Sequence, residues 1–552
     1  MSTMEEVLAK LNEEQREAVL DESPVCIVNA NVGSGKTTVL TVKVRYLHER
    51  KGTAYEDMLV LTFTNKAADE IRERLGIEKA CEAEPVPKET AGFGTFHSVA
   101  MMLLKEKLPL EKVGYAPDFT IIEPEEELEL ANELTKMHRL KIKYPQRLAK
   151  RLDQATAMNV EEREGIAGRK VDKYGDDIWQ LTDLLQQEKR QRNQMSFNDL
   201  ILNAVRLLEQ FTYHPDWIII DEVQDCDSLQ LRMIEALKGT RTRLFAVGDP
   251  NQVIYSFRGS DLNVCYLLAH KYQARELTLS VNYRSSRAIL DAARYFKQCG
   301  SRLQPSREGG ERIVIRKHYD PMAEAYYLAA RIRQLIADGI PGAEIAIFYR
   351  LQEQAELLRD VFAREGLPIE ELQLMTLHAS KGLEFSVVFI IGVNNGLIPL
   401  IGSRQEEEEE RRLFFVGMTR ARDRLELSWY VHPGYPKVQP GEGRFLQMIP
   451  PALVVREGEE TQKTDLQELR RRILDARQQK AEQPIDMTEQ QDAENQPNEA
   501  EANPKSTPQV RHAKYGVGTV IREDETTIEV AFEGYGNKEF LKAFTLLERL
   551  YL

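Results

Sequence analysis

Cysteine is scarce in this chain of 552 residues, and long apolar runs are missing. The five cysteines are scattered, and none forms a Cys-x-x-Cys pair. Such spacing argues against a zinc knuckle, an iron–sulfur cluster and a disulfide framework. No run approaches the ~18 apolar residues of a membrane span, and the first residues lack the basic and apolar regions of a signal peptide. We therefore expect a reduced, cytoplasmic protein without a membrane partner.

An excess of positive charge is also missing, since 88 acidic residues outnumber 74 basic ones and leave a net charge of −14. This balance at first argues against a nucleic-acid partner. The total is a weak guide, because acidic tails and linkers can hide a local basic groove. The length predicts about three or four domains.

A glycine-containing loop, residues 30–37, stands near the start of the chain. An apolar run before it predicts a buried strand, and the spacing of apolar residues after it suits a helix. Strand, glycine loop and helix form the context of a phosphate-binding loop. Gly33 and Gly35 let backbone N–H groups turn toward phosphate oxygens. Lys36 would then reach the β- and γ-phosphates, and the Thr37 hydroxyl would hold Mg²⁺.

A second predicted strand, Trp217–Ile220, ends in two carboxylates, Asp221 and Glu222. A buried strand that ends in adjacent acids needs a reason, because desolvated carboxylates are costly. Asp221 would hold Mg²⁺ through its water shell, and Glu222 would orient and deprotonate the attacking water. The alternative is a strand that simply reaches solvent. A later strand ends at Asp249 and leads to Gln252, which could sense the γ-phosphate.

Hydroxyl and aromatic side chains follow the other predicted strands. Ligands of open parallel sheets bind at the carboxyl ends of strands, where hydroxyls suit phosphates and Phe63 suits a stacked base. Ordinary helix capping and core packing are the alternative for these stretches. Tyr255, Phe257 and Arg258 combine aromatic rings with a cation, as proteins that grip single strands do.

Three further positions suit a nucleotide. The carboxamide of Gln15 can donate and accept at once, which matches the edge of adenine. Tyr283 and Arg284 could stack on a base and reach a phosphate. The second α/β region has no phosphate loop of its own, so Arg420 or Arg422 is a candidate arginine finger for the first.

The alternation of apolar runs and turn residues predicts an α/β protein in several parts. A Gln-, Glu-, Asn- and Pro-rich stretch predicts a disordered linker, and the short strands after it predict a small SH3-like barrel. The predicted parts are a first α/β domain (1–100 and 206–280), a helical insertion (101–205), a second α/β domain (281–455), a helical then disordered acidic linker (456–508) and the barrel (509–552).

Taken in order, these stretches resemble the UvrD/PcrA/Rep group of superfamily 1A DNA helicases over nearly the whole chain. The resemblance implies two RecA-like P-loop NTPase domains that move 3′ to 5′ on single-stranded DNA, using ATP and Mg²⁺. The matching motifs are LNEEQREAV (11–19), the phosphate loop (30–37), LTFTNKAADEI (61–71), GTFHS (94–98), DEVQD (221–225), GDPNQVIYSFRG (248–259), NYRSS (282–286), TLHASKGLEF (376–385) and VGMTRAR (416–422).

The resemblance also implies roles for single residues. Catalysis is assigned to Lys36, Asp221, Glu222, Gln252, Arg284 and Arg420, with Thr37 and Asp221 serving the metal. Nucleotide binding is assigned to Gln15, Ala30, Gly33, Ser34, Gly35, Lys36, Thr37, Thr38, Tyr283 and Glu384. DNA binding is assigned to Phe63, Asn65, Thr95, His97, Tyr255, Phe257, Arg258, Thr376 and His378.

The implied partners are single-stranded DNA and junctions with duplex, and the barrel resembles a Tudor-like tail implicated in contacts with RNA polymerase. Four departures stand out. Ala30 replaces the first glycine of the phosphate loop, Thr38 stands where close relatives often carry an arginine beside adenine, and Phe257 replaces a tryptophan. Only residues 351–372 occupy the place where relatives insert a helical subdomain called 2B, so we expect a compact form without it.

Several functions remain open at this stage. The favoured one is a DNA helicase in repair or in the maintenance of replication or transcription. The first alternative is a translocase that strips proteins from DNA, or acts with RNA polymerase, with little unwinding. A helicase–nuclease subunit is disfavoured, because no nuclease-like cluster follows the last motif. An inactive ATPase scaffold is disfavoured by intact Lys36, Asp221, Glu222 and Arg420.

Overall fold

The computed structural model describes residues 3–77, 87–158, 177–254, 264–300, 302–400, 402 and 404–458, together with strand residues between 509 and 550. The chain divides into two compact units, Met1–Gln467 and Glu468–Leu552. No helix in the described ranges is long and apolar enough to cross a membrane.

Six parallel strands form the first sheet. Most of them are short and apolar, and helices cover both faces, as buried parallel sheets require. The edge strand Arg275–Leu279 is the exception, because it is polar and largely exposed. In spatial order the strands are Phe93–Thr95, Met58–Thr62, Trp217–Ile220, Arg243–Gly248, Val25–Ala30 and Arg275–Leu279. The helices are Met4–Ala9, Glu13–Leu20, Lys36–Lys51, Asn65–Arg74, Phe96–Glu106, Phe197–Leu208, Ser228–Leu237 and Val264–Tyr272.

The predicted insertion is mainly helical. Its helices Pro124–Met137, Leu148–Ala157 and Ile178–Gln191 enclose a leucine-rich core of their own. A short parallel strand pair, Thr120–Ile121 with Gln194–Met195, lies beside them. The helices that flank the insertion run across the predicted boundaries near residues 100 and 205 and bury their apolar faces in the core of the first sheet. The boundaries themselves stay a prediction.

A second sheet of six parallel strands confirms the expectation of a second α/β region. In spatial order its strands are Gln373–Thr376, Ile345–Tyr349, Phe385–Ile390, Ala421–Tyr430, Ile313–His318 and Val454–Glu457. Its helices are Arg287–Ala293, Pro321–Ala337, Gln352–Arg364, Arg404–Met418 and Arg444–Gln447, and Val281–Ser286 pairs separately with Gln304–Arg307.

The connection between Tyr349 and Gln373 is short. It holds one helix, Gln352–Arg364, and a single 3-10 turn, Ile369–Glu371. That helix packs on the second sheet through buried side chains such as Leu358 and Phe362. The connection thus holds one helix and one turn, and the expectation of a compact form without the inserted subdomain stays a prediction.

The unit Glu468–Leu552 contains one antiparallel sheet in its described residues. Val510, Val530 and Phe532 form its buried core. Closure of this sheet into an SH3-like barrel stays a prediction, and the helical and linker expectations for residues 459–508 lie outside the described residues. In spatial order the strands are Gly536–Leu541, Thr527–Phe532, Gly516–Glu523, Gln509–His512 and Leu547–Leu550.

Candidate nucleotide site and nucleic-acid interface

The loop after strand Val25–Ala30 forms a cradle of backbone groups. Gly33 and Gly35 have φ of +64° and +82°. Residues with a side chain rarely adopt this left-handed conformation. A Cβ on Gly33 would lie 2.6 Å from the side chain of Asn282, so the space also requires glycine there. Within the described residues, the buried Ser34 hydroxyl has no hydrogen-bond partner. Together with the start of helix Lys36–Lys51, these features fit a polyphosphate.

Ala30 departs from the phosphate-loop pattern at a position where its methyl group is useful. The residue is the last of its strand and is 1 % exposed. Its methyl group belongs to the core beneath the first sheet, beside Val28 and Val247. The alanine therefore packs in the core, and the loop keeps all of its backbone N–H donors.

An ion pair joins the loop to the acidic end of strand Trp217–Ile220. The Lys36 ammonium lies 2.8 Å from both carboxylate oxygens of Glu222. Asp221 is 5 % exposed, and one of its oxygens accepts the backbone N–H of Glu222 at 3.0 Å. The structure thus brings together the lysine and both carboxylates that the sequence singled out.

The two carboxylates differ in their electrostatics. Burial, reinforced by the charge of Glu222, raises the pKa of Asp221 to about 7. Burial acts the same way on Glu222, but Lys36 and Lys381 outweigh it and hold the pKa of Glu222 below its usual range. Oxygens of Asp221 and Thr37 are the donors that Mg²⁺ prefers, and a divalent cation would offset the buried charge of Asp221. The residues therefore fit the metal.

Gln252 links the first sheet to a buried arginine of the second. Its amide donates to Asp249 at 2.8 Å, and its carbonyl oxygen accepts from the Arg420 guanidinium at 3.3 Å. Arg420 is 1 % exposed and otherwise bonds two backbone carbonyls. Burial and the nearby Arg284 lower the pKa of Arg420 to about 9. A buried cation with few counter-charges suits an incoming anion.

The strand Val281–Ser286 is attached directly to the phosphate loop. The Asn282 side chain donates to the carbonyl of Val32 at 2.7 Å, and the Tyr283 N–H donates to a second loop carbonyl at 2.8 Å. Arg284 pairs with Glu384 at 2.6 Å. Both partners were predicted to contact the nucleotide, and they lie next to each other.

The side of the loop that faces helix Glu13–Leu20 carries the predicted adenine contacts. Gln15 is buried, and its amide donates to the Ser34 carbonyl at 3.0 Å. Asn12 caps this helix through the Gln15 N–H and donates to the Tyr283 hydroxyl at 2.7 Å. Thr38 is exposed and accepts from Arg74 at 3.3 Å, so an arginine from another helix stands beside it.

Residues that were not predicted as contacts close the gap between the two sheets. Lys381 forms an ion pair with buried Asp225 and donates to the backbone carbonyl of Gln252 at 2.8 Å. Burial raises the pKa of Asp225 to about 6. Gln224 donates to Glu222 at 2.5 Å and accepts the Asp249 N–H. Their only signal in the sequence was membership of the motifs DEVQD and TLHASKGLEF.

Two predicted DNA contacts, Thr95 and Thr376, already serve as turn or capping residues. Thr95 accepts the N–H of Ser98 at 3.2 Å at the start of its helix. Thr376 ends its strand and accepts the N–H of Ala379 at 3.2 Å. The hydroxyl oxygens thus have local partners, as the capping alternative requires, and any DNA contact would be additional.

The other predicted DNA contacts are distributed over both sheets. Phe63 is half-buried against Phe96, with ring centroids 5.7 Å apart. The His97 ring contacts Phe197, and burial lowers the pKa of His97. Exposed Asn65 begins a helix, and partly buried His378 follows Thr376 at the edge of the second sheet. Tyr255, Phe257 and Arg258 lie outside the described residues.

Two open parallel sheets, one phosphate loop, an acid pair and an arginine from the second sheet define a P-loop NTPase with two RecA-like domains. The model of the UvrD/REP helicase N-terminal domain matches residues 11–273. The model of the UvrD-like helicase C-terminal domain matches residues 277–373 and 369–432. The chain belongs to the UvrD/REP family of ATP-hydrolysing DNA helicases.

Curated relatives agree with this family. A probable DNA helicase of Mycoplasma pneumoniae is 28 % identical over 76 % of this chain and 83 % of its own length. The ATP-dependent DNA helicase PcrA of Staphylococcus epidermidis is 28 % identical over 66 % of this chain. DNA helicase II of Haemophilus influenzae is 27 % identical over 72 % of this chain. The chain spans only 51 % and 56 % of the last two proteins.

Glu14 offers a test of how the adenine side is held. Its carboxylate accepts the N–H and the hydroxyl of Ser280 at 2.7 and 2.6 Å, and Ser280 begins the link from the first sheet to Tyr283. Hydrogen bonds to a charged group are worth about 1.5–3 kcal/mol each. We expect Glu14→Ala to raise the KM for ATP about 5- to 10-fold, or about 1–1.4 kcal/mol, with little change in kcat, measured by steady-state ATPase. This is less than the full value of the two hydrogen bonds, because Ser280 acts on the nucleotide only through the position of Tyr283.

The matched control is Glu13→Ala, because Glu13 is exposed on the same helix. It should leave the KM unchanged. Equal effects of the two substitutions, or a lower kcat at unchanged KM for Glu14→Ala, would contradict this role of Glu14.

Proposed function

We propose that the protein is an ATP-driven motor that moves 3′ to 5′ on single-stranded DNA and acts as a helicase in DNA repair or in the maintenance of replication or transcription. The proposal rests on the contacts that connect the second sheet to Gln252 of the first. The arginine and lysine of the second sheet, Arg420 and Lys381, contact Gln252 of the first. A nucleotide beside Gln252 would be sensed by both RecA-like domains.

Hydrolysis is assigned to the residues around the phosphate loop. Lys36 binds the β- and γ-phosphates, and its departure from Glu222 frees that carboxylate to orient water and accept its proton. When bound through Thr37 and Asp221, Mg²⁺ neutralises charge that develops on the phosphates. Gln252, Arg284 and Arg420 stabilise the γ-phosphoryl group during transfer.

Nucleotide recognition is assigned to both ends of the loop. Gln15 reads the edge of adenine, and Tyr283 stacks on its face. The backbone N–H groups of Gly33, Ser34 and Gly35 surround the phosphates. Glu384, now paired with Arg284, binds the ribose.

The DNA track is assigned to polar and aromatic residues at the carboxyl ends of strands in both sheets. Aromatic rings stack on bases and hydroxyls contact phosphates in such grooves. The preferred DNA is a single strand or its junction with duplex. The residues assigned to this track are Phe63, Asn65, Thr95, His97, Tyr255, Phe257, Arg258, Thr376 and His378.

A second candidate function is a translocase that displaces proteins and unwinds little duplex. The short connection between Tyr349 and Gln373 favours it, because a subdomain inserted there in relatives lies where duplex approaches the motor. Both RecA-like domains remain, so stepping along one strand is retained.

Replacing Glu222 separates binding from hydrolysis. Glu222→Gln should leave MgATP binding nearly intact and lower kcat by roughly 10² to 10⁴, as loss of a general base does. Lys36→Ala should instead weaken nucleotide binding itself, because the ammonium contacts the phosphates. Binding of a fluorescent ATP analogue and DNA-stimulated ATPase measure both effects. Hydrolysis by Glu222→Gln at the wild-type rate would refute the assignment.

The balance between stepping and unwinding can be measured on one substrate. We expect efficient 3′-to-5′ translocation on single strands but weak unwinding of a long 3′-tailed duplex by single molecules, since each base pair resists opening by roughly 1.4 kcal/mol. Single-turnover unwinding beside a translocation assay provides the comparison. Processive unwinding by monomers would contradict the second candidate function, and 5′-to-3′ movement would contradict the polarity.

The C-terminal unit is proposed to bind a protein partner, with RNA polymerase as the candidate. It forms a compact unit with a sheet of its own. Removal of residues 506–552 should spare DNA-stimulated ATPase and abolish co-purification with RNA polymerase, measured with the full chain as the control. A large fall in ATPase would argue that this unit is part of the motor instead.

A further inference from the structure

Arg412 is a buried cation that connects the two α/β regions. It belongs to helix Arg404–Met418 of the second region and is 4 % exposed. Its guanidinium donates to the backbone carbonyl of Val253 at 2.7 Å and to the side-chain carbonyl of Gln298 at 3.0 Å. Both acceptors are uncharged, and burial lowers the pKa of Arg412. A buried cation held by neutral groups is costly, so its position needs a reason.

Arg412 holds the residue that follows Gln252. The Gln252 amide donates to Asp249 at 2.8 Å, and the Gln252 side-chain carbonyl accepts from Arg420 at 3.3 Å. Arg420 follows the end of the helix that carries Arg412. Two arginines of the second region therefore contact two consecutive residues of the first, Gln252 through its side chain and Val253 through its backbone.

A ring of hydrogen bonds surrounds this contact. Asn251 is 1 % exposed, and its side-chain carbonyl accepts the N–H of Gln298 at 2.9 Å. Arg412 bonds the side chain of the same Gln298, and the backbone from Asn251 to Val253 completes the ring. Ile254 is fully buried in the apolar core of the second region. The chain on both sides of Val253 is thus fixed to the second region.

The planar guanidinium explains why an arginine suits this place. It can hold two acceptors in a fixed geometry, which the compact ammonium of a lysine cannot do. By tying Val253 to Gln298, Arg412 fixes the backbone next to Gln252 and so limits the directions in which the Gln252 side chain can point. A misplacement of about 1 Å in a catalytic group can cost roughly 10²-fold in rate.

We propose that Arg412 is a positioning residue for ATP hydrolysis, which holds Gln252 between the nucleotide and Arg420. The inference rests on the proposed function, because it takes from that function the roles of Gln252 and Arg420 at the γ-phosphoryl group. Arg412 acts through Gln252 and not on the nucleotide itself. A merely structural arginine would stabilise the contact between the regions without acting through Gln252.

The first variant is Arg412→Met in the full chain, because methionine fills much of the same space without donors. We expect kcat at saturating ATP and oligo-dT to fall about 10- to 100-fold. The Kd for a fluorescent ATP analogue should stay within about twofold of wild type, since an interaction needed only for the transfer step is lost. Steady-state ATPase and a fluorescence titration measure the two quantities.

Arg316→Met is the matched control, because it removes a partly buried arginine of the same region. Arg316 pairs with Glu426 and Glu457 on neighbouring strands of the second sheet. Its loss should lower the melting temperature, but kcat per folded molecule should stay within about twofold of wild type. Circular dichroism gives the folded fraction of each variant.

Arg412→Lys is the milder variant, and it decides the question if Arg412→Met does not fold. It keeps the positive charge and can still donate to Val253, but it loses the planar group that holds Gln298 at the same time. We expect its kcat to lie between those of wild type and Arg412→Met, with unchanged binding of the ATP analogue.

A double-mutant cycle tests whether Arg412 acts through Gln252. Gln252→Ala alone should lower kcat, because it removes the side chain that Arg412 positions. In that background, Arg412→Met should lower kcat by less than about threefold, since residues that act as a unit are not additive. A structural effect of Arg412 would instead be the same in both backgrounds.

The full loss from Arg412→Met in the Gln252→Ala background would overturn the inference. Equal losses of kcat in Arg412→Met and Arg316→Met would also overturn it, as would weaker binding of the ATP analogue at unchanged kcat. Wild-type kcat in the Arg412 variants, beside a low kcat in Gln252→Ala, would refute this inference alone. Wild-type kcat in Gln252→Ala would refute the proposed role of Gln252 and this inference with it.

Discussion

Buried negative charge at the end of one strand is the constraint on which the rest of the site depends. Asp221 and Glu222 are adjacent and poorly solvated, and two such carboxylates cannot both ionise without nearby cations. Lys36 supplies one cation from the phosphate loop, and Lys381 supplies another from the second sheet. The acid pair therefore takes its counter-charges from elements that lie far apart in the chain.

A bound nucleotide would compete for Lys36 and Arg420, which already contact Glu222 and Gln252. Phosphates that attract Lys36 would remove the nearest counter-charge of Glu222, and a metal beside Asp221 would replace it. Phosphates that attract Arg420 would weaken its bond to the side chain of Gln252, whose backbone carbonyl accepts from Lys381. A nucleotide at this site would thus change the contacts between the two sheets, which gives a physical basis for the proposed coupling of ATP to domain movement.

Local patterns in the sequence predicted the strands and the ends of strands well. Val25–Ala30 and Trp217–Ile220 are apolar runs that end in polar residues, and parallel packing places those ends at one edge of the sheet. The sequence could not show which residues would pair across the gap, because the partners are separated by more than 100 residues. Lys381 with Asp225 and Glu14 with Ser280 are such pairs. Helix capping by Thr95 was foreseen only as an alternative.

Net charge was the least informative property of the sequence. In this acidic chain, charges of the two signs are separated locally. Residues 136–152 of the insertion contain basic side chains and no carboxylate, whereas the phosphate loop places its lysine against a buried acid pair. Salt screens charges that lie more than about a Debye length away, roughly 8–10 Å. Exposed cations on the nearest surface therefore attract a polyanion more strongly than distant carboxylates repel it. The composition of each surface, and not the total, determines what it binds.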